Sequence, residues 1–277
     1  MLLLPACGAQ DVPEEAAATD TGTQEEAWVP LFNGRDLSGW DIKMAGRPLN
    51  DNFRNTWRVE DSMLRVSYAD YEAFDDAYGH LYYQQPYSRY KLRFEYRFTG
   101  DQTPGGASWN VRNSGVMLHS QSAASNEMGQ DFPVSVELQL LGGLGTGERT
   151  TGNVCTPGTA VMMGDTINFN HCINAASETY DGDGWIRAEA IVLGGEAMHF
   201  LIEGDTVLSF QHPQIGGDFG AVGLSADGAG NGEGVYSLQD WQKREGEILT
   251  EGYIALQAES HPIDFRNVEL LDLSDSK

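Results

Sequence analysis

YKLRFEYRF, residues 90–98, places Tyr90, Leu92, Phe94, Tyr96 and Phe98 on one face of an extended chain and Lys91, Arg93, Glu95 and Arg97 on the other. That alternation is the mark of an antiparallel strand with one face in a core and one in water. The same reading extends outward in both directions. NTWRVEDSMLRVSY (55–68), FPVSVELQLL (132–141), WIRAEAIVL (185–193), GAVGLS (220–225) and DFRNVELLDL (264–273) are further runs of β-branched and aromatic residues, separated by Gly, Asp, Asn and Pro. MHFLIEGDTVLSF (198–210) reads as a hairpin turning at Glu203-Gly204-Asp205, with Met198, Phe200 and Ile202 inward. No long helical period competes, so the chain is expected to be all-β. Its length favours a sandwich of two large antiparallel sheets.

Four segments carry polar side chains on this ordinary sheet pattern: RNSGVMLHS (112–120), VSVELQLLG (134–142), WIRAEAIVL (185–193) and GYIALQAESHPIDFRNVEL (252–270). Alternation pairs Glu137 with Gln139, Arg187 with Glu189 and Gln257 with Glu259, whereas Val136, Leu138, Ile254 and Leu256 point the other way. A solvated sheet face alternates in the same manner without any ligand. The concentration of Glu, Gln, Arg and His in these four segments suggests instead a site laid across a sheet.

Charge and cysteine usage bound the setting. With 41 acidic and 17 basic residues the formal charge is -24, which repels nucleic acid and anionic membrane surfaces and favours a neutral partner. The opening MLLLPACG resembles a lipoprotein processing site, with Cys7 as the lipidated residue. Its apolar run is shorter than the roughly 20 residues that a membrane span requires. Residues 1–27 read as this signal remnant and a flexible acidic tether, and residues 28–277 as one domain. The expected location is therefore periplasmic or extracellular, with membrane contact only through a lipid at Cys7. Cys155 and Cys172 are then left as a pair in a compartment where disulfides survive, and their bond is expected to close a loop of weak strand content. A metal site built from Cys155, His171 and Cys172 lacks a fourth ligand at recognisable spacing.

LFNGRDLSGW (31–40), WRVEDSMLRV (57–66), RNSGVMLHS, VELQLL (136–141), TYDGDGWIRAEAIV (179–192) and the closing GYIALQAESHPIDFRNVELLDL (252–273) resemble, in that order, the 3-keto-disaccharide hydrolase domain family. The ending is the most specific part. The resemblance implies a concanavalin A-like jelly roll with a sugar groove across its concave sheet, and cleavage of glycosides already oxidised at sugar carbon 3. A base, an acid for the leaving oxygen and donors around an enolate suffice for that chemistry. Glu137 or His119 is the candidate base, Glu259 or His261 the acid, and Arg112 or Arg187 the enolate stabiliser. Gln139, Gln257, Arg187, His261 and Trp109 are candidate substrate contacts, and Trp57, Trp185 and Tyr236 are further aromatics able to stack on a sugar. A divalent cation held by Glu137, His119 and Glu259 would serve the same end. The chain departs from the family in an insertion, DGAGNGEGVYSLQDWQKREGEILTE (227–251), and carries an acidic aromatic loop at 68–80 that could border the site.

Other classes have less support. VELQL offers a single acid where a retaining glucanase sets two carboxyls about 5 Å apart. No Gly-x-Ser-x-Gly elbow is present. A carbohydrate-binding module without turnover, or a structural surface lipoprotein, would use the same fold.

Overall fold

In the computed structural model, which describes residues 27–226 and 234–274, the alternating segments become strands. Cys7 and nearly all of the tether lie outside the described residues. The first strands are β1 (Val29–Pro30), β2 (Trp40–Met44), β3 (Trp57–Glu60), β4 (Met63–Val66), β5 (Gly79–Tyr83) and β6 (Arg89–Phe98). Next come β7 (Asn113–Ser120), β8 (Val136–Leu141), β9 (Asn153–Cys155), β10 (Thr159–Met163), β11 (Thr166–Asn168) and β12 (Cys172–Ile173). The last are β13 (Ile186–Leu193), β14 (Ala197–Ile202), β15 (Asp205–Ile215), β16 (Tyr253–Ala258) and β17 (Ile263–Asp272).

They form two antiparallel sheets. The larger runs β11-β10-β15-β14-β13-β6-β17-β4-β3, with β1 added to β17, and the smaller runs β12-β9-β8-β7-β16-β5-β2. This is the jelly-roll, lectin-like sandwich that the alternation and the resemblance led one to expect. The core lies between the sheets: Leu92, Phe94, Tyr96 and Phe98 of β6 share one apolar cluster with Val136, Leu138 and Leu140 of β8 and with Ile254 and Leu256 of β16. Each side chain fully removed from water there contributes about 1.5–3 kcal/mol. The hairpin β14–β15 turns where expected, with Met198, Phe200 and Ile202 buried.

The other face of β6 carries ion pairs that hold the larger sheet together laterally. Arg93 meets Glu269 at 2.7 Å and Glu95 meets Arg266 at 2.9 Å, both on β17. Asp264, with no exposed side-chain surface, accepts from Arg65 at 2.7 Å and from Arg97 at 2.9 Å. Trp185 is stacked under the guanidinium groups of Arg97 and Arg266.

Two expectations fail locally. The segment between Cys155 and Cys172 is not weak in strand content, since it contains β9 to β12. Two of these add to each sheet, and backbone pairing to long neighbours stabilises runs too short to stand alone. GAVGLS is a 3-10 turn over Phe219–Val222 rather than a strand, because Asp218 caps the Gly220 amide and Gly223 takes a left-handed φ of 74°. The described part of residues 227–251 holds a short helix, α1 (Leu238–Gln242), started by a reciprocal Ser237–Asp240 cap. Among the described residues, no helix is long and apolar enough to cross a membrane.

Candidate active site

β7 lies between β8 and β16 in the smaller sheet, and this order makes the site. Glu137 on β8 is opposite Met117 on β7, which is in turn opposite Ala255 on β16. Gly115 is opposite Gln139. A Cβ added at Gly115 would sit 2.2 Å from Glu137 Oε1, so the glutamate side chain lies across the bare backbone of the intervening strand, leaning toward β16. Gln257 on β16 and Glu259 just beyond it complete the floor. A cavity of about 710 Å³ covers this face, walled by Tyr78, Trp109, Phe132, Arg149 and His171, with Cys155 and Cys172 at one end.

Burial controls the electrostatics here. It pushes the Glu137 carboxyl up to about 8. Burial also raises Glu259 well above the usual carboxylate range; the charge of Glu137 adds to this, and Arg149 opposes it. Two buried carboxyls whose charges repel in this way do not both ionise near neutrality. Arg149 is itself anchored by donating to the carbonyls of Gly142 (2.7 Å) and Arg112 (3.3 Å). Gln139 accepts from Asn153 at 3.0 Å. Gln257 Oε1 and Asn113 Oδ1 are buried acceptors without partners among the described residues, and both side chains line the cavity. Open acceptors of this kind are what a hydroxylated ligand would satisfy.

Of the residues singled out in the sequence, Glu137, Gln139, Gln257, Glu259 and Trp109 come together around this cavity. They are largely buried rather than displayed, except for Trp109 at 54% exposure. Arg187 does not join them. It sits on β13 in the other sheet, paired with Glu189, beside a small depression lined by Arg93, Glu95 and Glu269. The alternation that suggested its face says nothing about which sheet a strand enters.

His119 is also elsewhere, for a reason visible in the backbone. Leu118 and His119 together face the single residue Ile254, a bulge in the β7–β16 ladder at which His119 takes a φ of 47°. The extra residue turns its ring toward Tyr90, and it lines a different cavity. The cation set Glu137, His119 and Glu259 is therefore not assembled. Among the described residues, no group of three or more His, Cys, Asp or Glu is arranged to hold a metal ion.

Arg112 and His261 form a neighbouring cluster with Phe98 and do not line the main cavity. Arg112 bonds to the Gly182 carbonyl and to Asp183 at 3.1 Å, and its guanidinium lies 5.5 Å from the Phe98 ring centre. His261 stands edge-on to Phe98 at 5.5 Å, and burial followed by the charge of Arg112 lowers it to about 4. Trp57 belongs to the core, and Tyr236 lines the same cavity as His119. The important omission from the sequence reading is Arg149. It lies in the loop LGGLGTGERTTG between β8 and β9, where no periodicity assigns it a direction. Tyr78 comes from the acidic aromatic loop already suspected of bordering the site. Cys155 and Cys172 are bonded, joining β9 to β12 directly across their ladder.

Residues 27–271 match the family described as the 3-keto-alpha-glucoside-1,2-lyase-like domain. No curated protein matches the chain. Among solved structures, two proteins of Parabacteroides distasonis ATCC 8503, each described as a "putative glycosyl hydrolase", are similar. One has 17% identity over 89% of this chain and 100% of its own at a TM-score of 0.49, the other 18% over 90% and 95%, also at 0.49. The carbohydrate-binding module CBM66 of Bacillus subtilis is similar at 10% identity over 84% of this chain and 96% of its own, with a TM-score of 0.42.

Proposed function

Because the chain belongs to the 3-keto-alpha-glucoside-1,2-lyase-like family, we infer that it cleaves glycosides whose sugar ring carries a ketone at carbon 3. The observation that carries this reading is the pair of buried carboxyls, Glu137 and Glu259, facing one cavity with Arg149 beside them.

A ketone at carbon 3 acidifies the hydrogen on carbon 2. Glu137, as carboxylate, removes that proton, and the electron pair of the C–H bond becomes the enolate. Arg149 stabilises the charge that develops on the carbon 3 oxygen. The enolate then collapses: the ketone re-forms, a double bond forms between carbons 1 and 2, and the bond from carbon 1 to the glycosidic oxygen breaks. Glu259, held protonated by burial and by Glu137, gives its proton to the departing oxygen. Water adding across the new double bond would complete a hydrolysis, and stopping before it would make the reaction a lyase step. Gln257 Oε1 and Asn113 Oδ1 accept from ring hydroxyls, and Trp109 offers a face at the mouth. The disulfide supports an oxidising location outside the cytoplasm, and the charge of -24 supports a neutral sugar as partner.

The test is direct. Purified protein is offered a nitrophenyl 3-keto-glucoside and the unoxidised nitrophenyl glucoside, and release of the phenol is followed. Release from the keto substrate alone is expected, and release from neither rejects the reading. A non-catalytic sugar-binding module is favoured by one feature, the exposed Trp109 at the cavity mouth. It would show as binding of the keto sugar without turnover.

A further inference from the structure

Residues 236–253 help to build a second cavity, of about 420 Å³, which shares no lining residue with the first. One side is the end of β7 with His119 and Ser120, followed by Ser122, and the other is the segment with Tyr236, Trp241 and Arg244. Gly252 closes one edge: a Cβ there would lie 2.4 Å from the His119 carbonyl carbon, so only glycine allows the chain to run this close. The two cavities lie on either side of one loop. Gln130 Nε2 donates both to Gln121 Oε1, on the second cavity, and to the Phe132 carbonyl, on the first, each at 2.9 Å.

Two residues that line this cavity carry buried polar atoms with no partner among the described residues. His119 Nε2 lies 3.1 Å from the Gly194 carbonyl. A carbonyl only accepts, so Nε2 carries the hydrogen and Nδ1 is left as an acceptor, buried and unpaired. Trp241 Nε1–H is a buried donor, equally unpaired. His119 is 1% exposed and Trp241 3%, so neither reaches bulk water to make up the deficit. Hydroxyl groups, which both donate and accept, answer both atoms. The cation is already matched, because Arg244 makes a two-pronged pair with Glu247 at 2.8 Å for each bond, leaving little to select an anion. Tyr236 is 40% exposed and stands 5.0 Å from Trp241, offering an aromatic surface to the C–H face of a ring.

We propose that this cavity is a second carbohydrate site, separate from the cleavage site, that binds a neutral pyranose unit through the His119 acceptor, the Trp241 donor and the Tyr236 face. It requires no ketone and no turnover, so it stands whether or not the cleavage reading does. The experiment is ligand-observed NMR titration of the full chain with unoxidised maltotriose, in the parent and in Trp109→Ala, Tyr236→Ala and Trp241→Phe, with thermal unfolding of each variant as a check on folding. Saturable binding is expected in the parent and in Trp109→Ala, weakened at least about tenfold in Tyr236→Ala and Trp241→Phe, the scale of losing a central aromatic or a buried hydrogen bond. Tyr236→Ala is expected to keep the parent's unfolding midpoint and, where the parent turns over the 3-keto-glucoside, that turnover as well, which a general structural failure would not. Equal affinity in all four proteins, loss confined to Trp109→Ala, or no binding by the parent overturns the proposal.

Discussion

Glu137 is a carboxyl placed where water cannot solvate its charge, and that single fact organises the proposed chemistry. Replacing it with Gln keeps the volume and removes the base, so turnover of a 3-keto-glucoside is expected to fall by about 100-fold or more. An unchanged rate in Glu137→Gln would remove this residue from the reaction. The pH profile follows from the same group. A base must be ionised, so kcat/KM is expected to rise with pH toward about 8. It then falls at higher pH, as Glu259 gives up the proton it must donate. A profile that is flat between pH 5 and 8 argues against the assignment. Gly115 is the silent partner of Glu137: Gly115→Ala puts a methyl group where the carboxyl now lies, so activity is expected to drop by about tenfold or more from displacement of the base.

At the scale of elements, short strands are held by their neighbours and by covalent closure. β12 has two residues and pairs only with β9, and the Cys155–Cys172 bond fastens it there at the edge of the cavity. Neither thiol should react with an alkylating reagent before reduction, which intact mass will read. Cys155→Ser with Cys172→Ser is expected to lower unfolding stability by about 3 kcal/mol, the loop-closure value for a ring of this size. The bulge on β7 is the element-level feature that matters most for the site. It turns an alternation that holds through Val116, Met117 and Leu118 and carries His119 away from Glu137.

For the whole molecule, buried titratable groups of opposite kinds act on stability in opposite directions. Burial lowers His80 to about 3 and His119 and His261 to about 4 from an ordinary 6.5. The unfolded chain therefore binds more protons on their account, and stability is lost as pH falls below 6.5. Glu137 and Glu259 are raised from 4.5, so the folded chain binds more protons on theirs, and stability is lost as pH rises through about 8. In the overlap three histidines outweigh two carboxyls. The thermal midpoint is expected to crest near pH 6.5, and Glu137→Gln to flatten the alkaline limb and steepen the acid limb above about pH 4.5, where Glu137 no longer offsets a histidine. A parent midpoint that climbs steadily to pH 8 would show that the buried carboxyl pair does not govern stability on the alkaline side.

What the amino-acid order determines by itself is local and periodic. Side chains alternate across an extended backbone whatever the strand's neighbours are, so the core face of β6, the β14–β15 hairpin and the shared face of Glu137 with Gln139 and of Gln257 with Glu259 were all legible. Strand order is not local. Only the fold sets β7 between β8 and β16, brings two carboxyls about 120 positions apart in sequence into one cavity, and sends Arg187 to the opposite sheet, because pairing is chosen by the packing of both faces at once. Only the fold places Arg149, which a loop without periodicity delivers to the site. It also moves His119 out, since one extra residue in a ladder reverses the direction that a period of two assigns to every side chain after it.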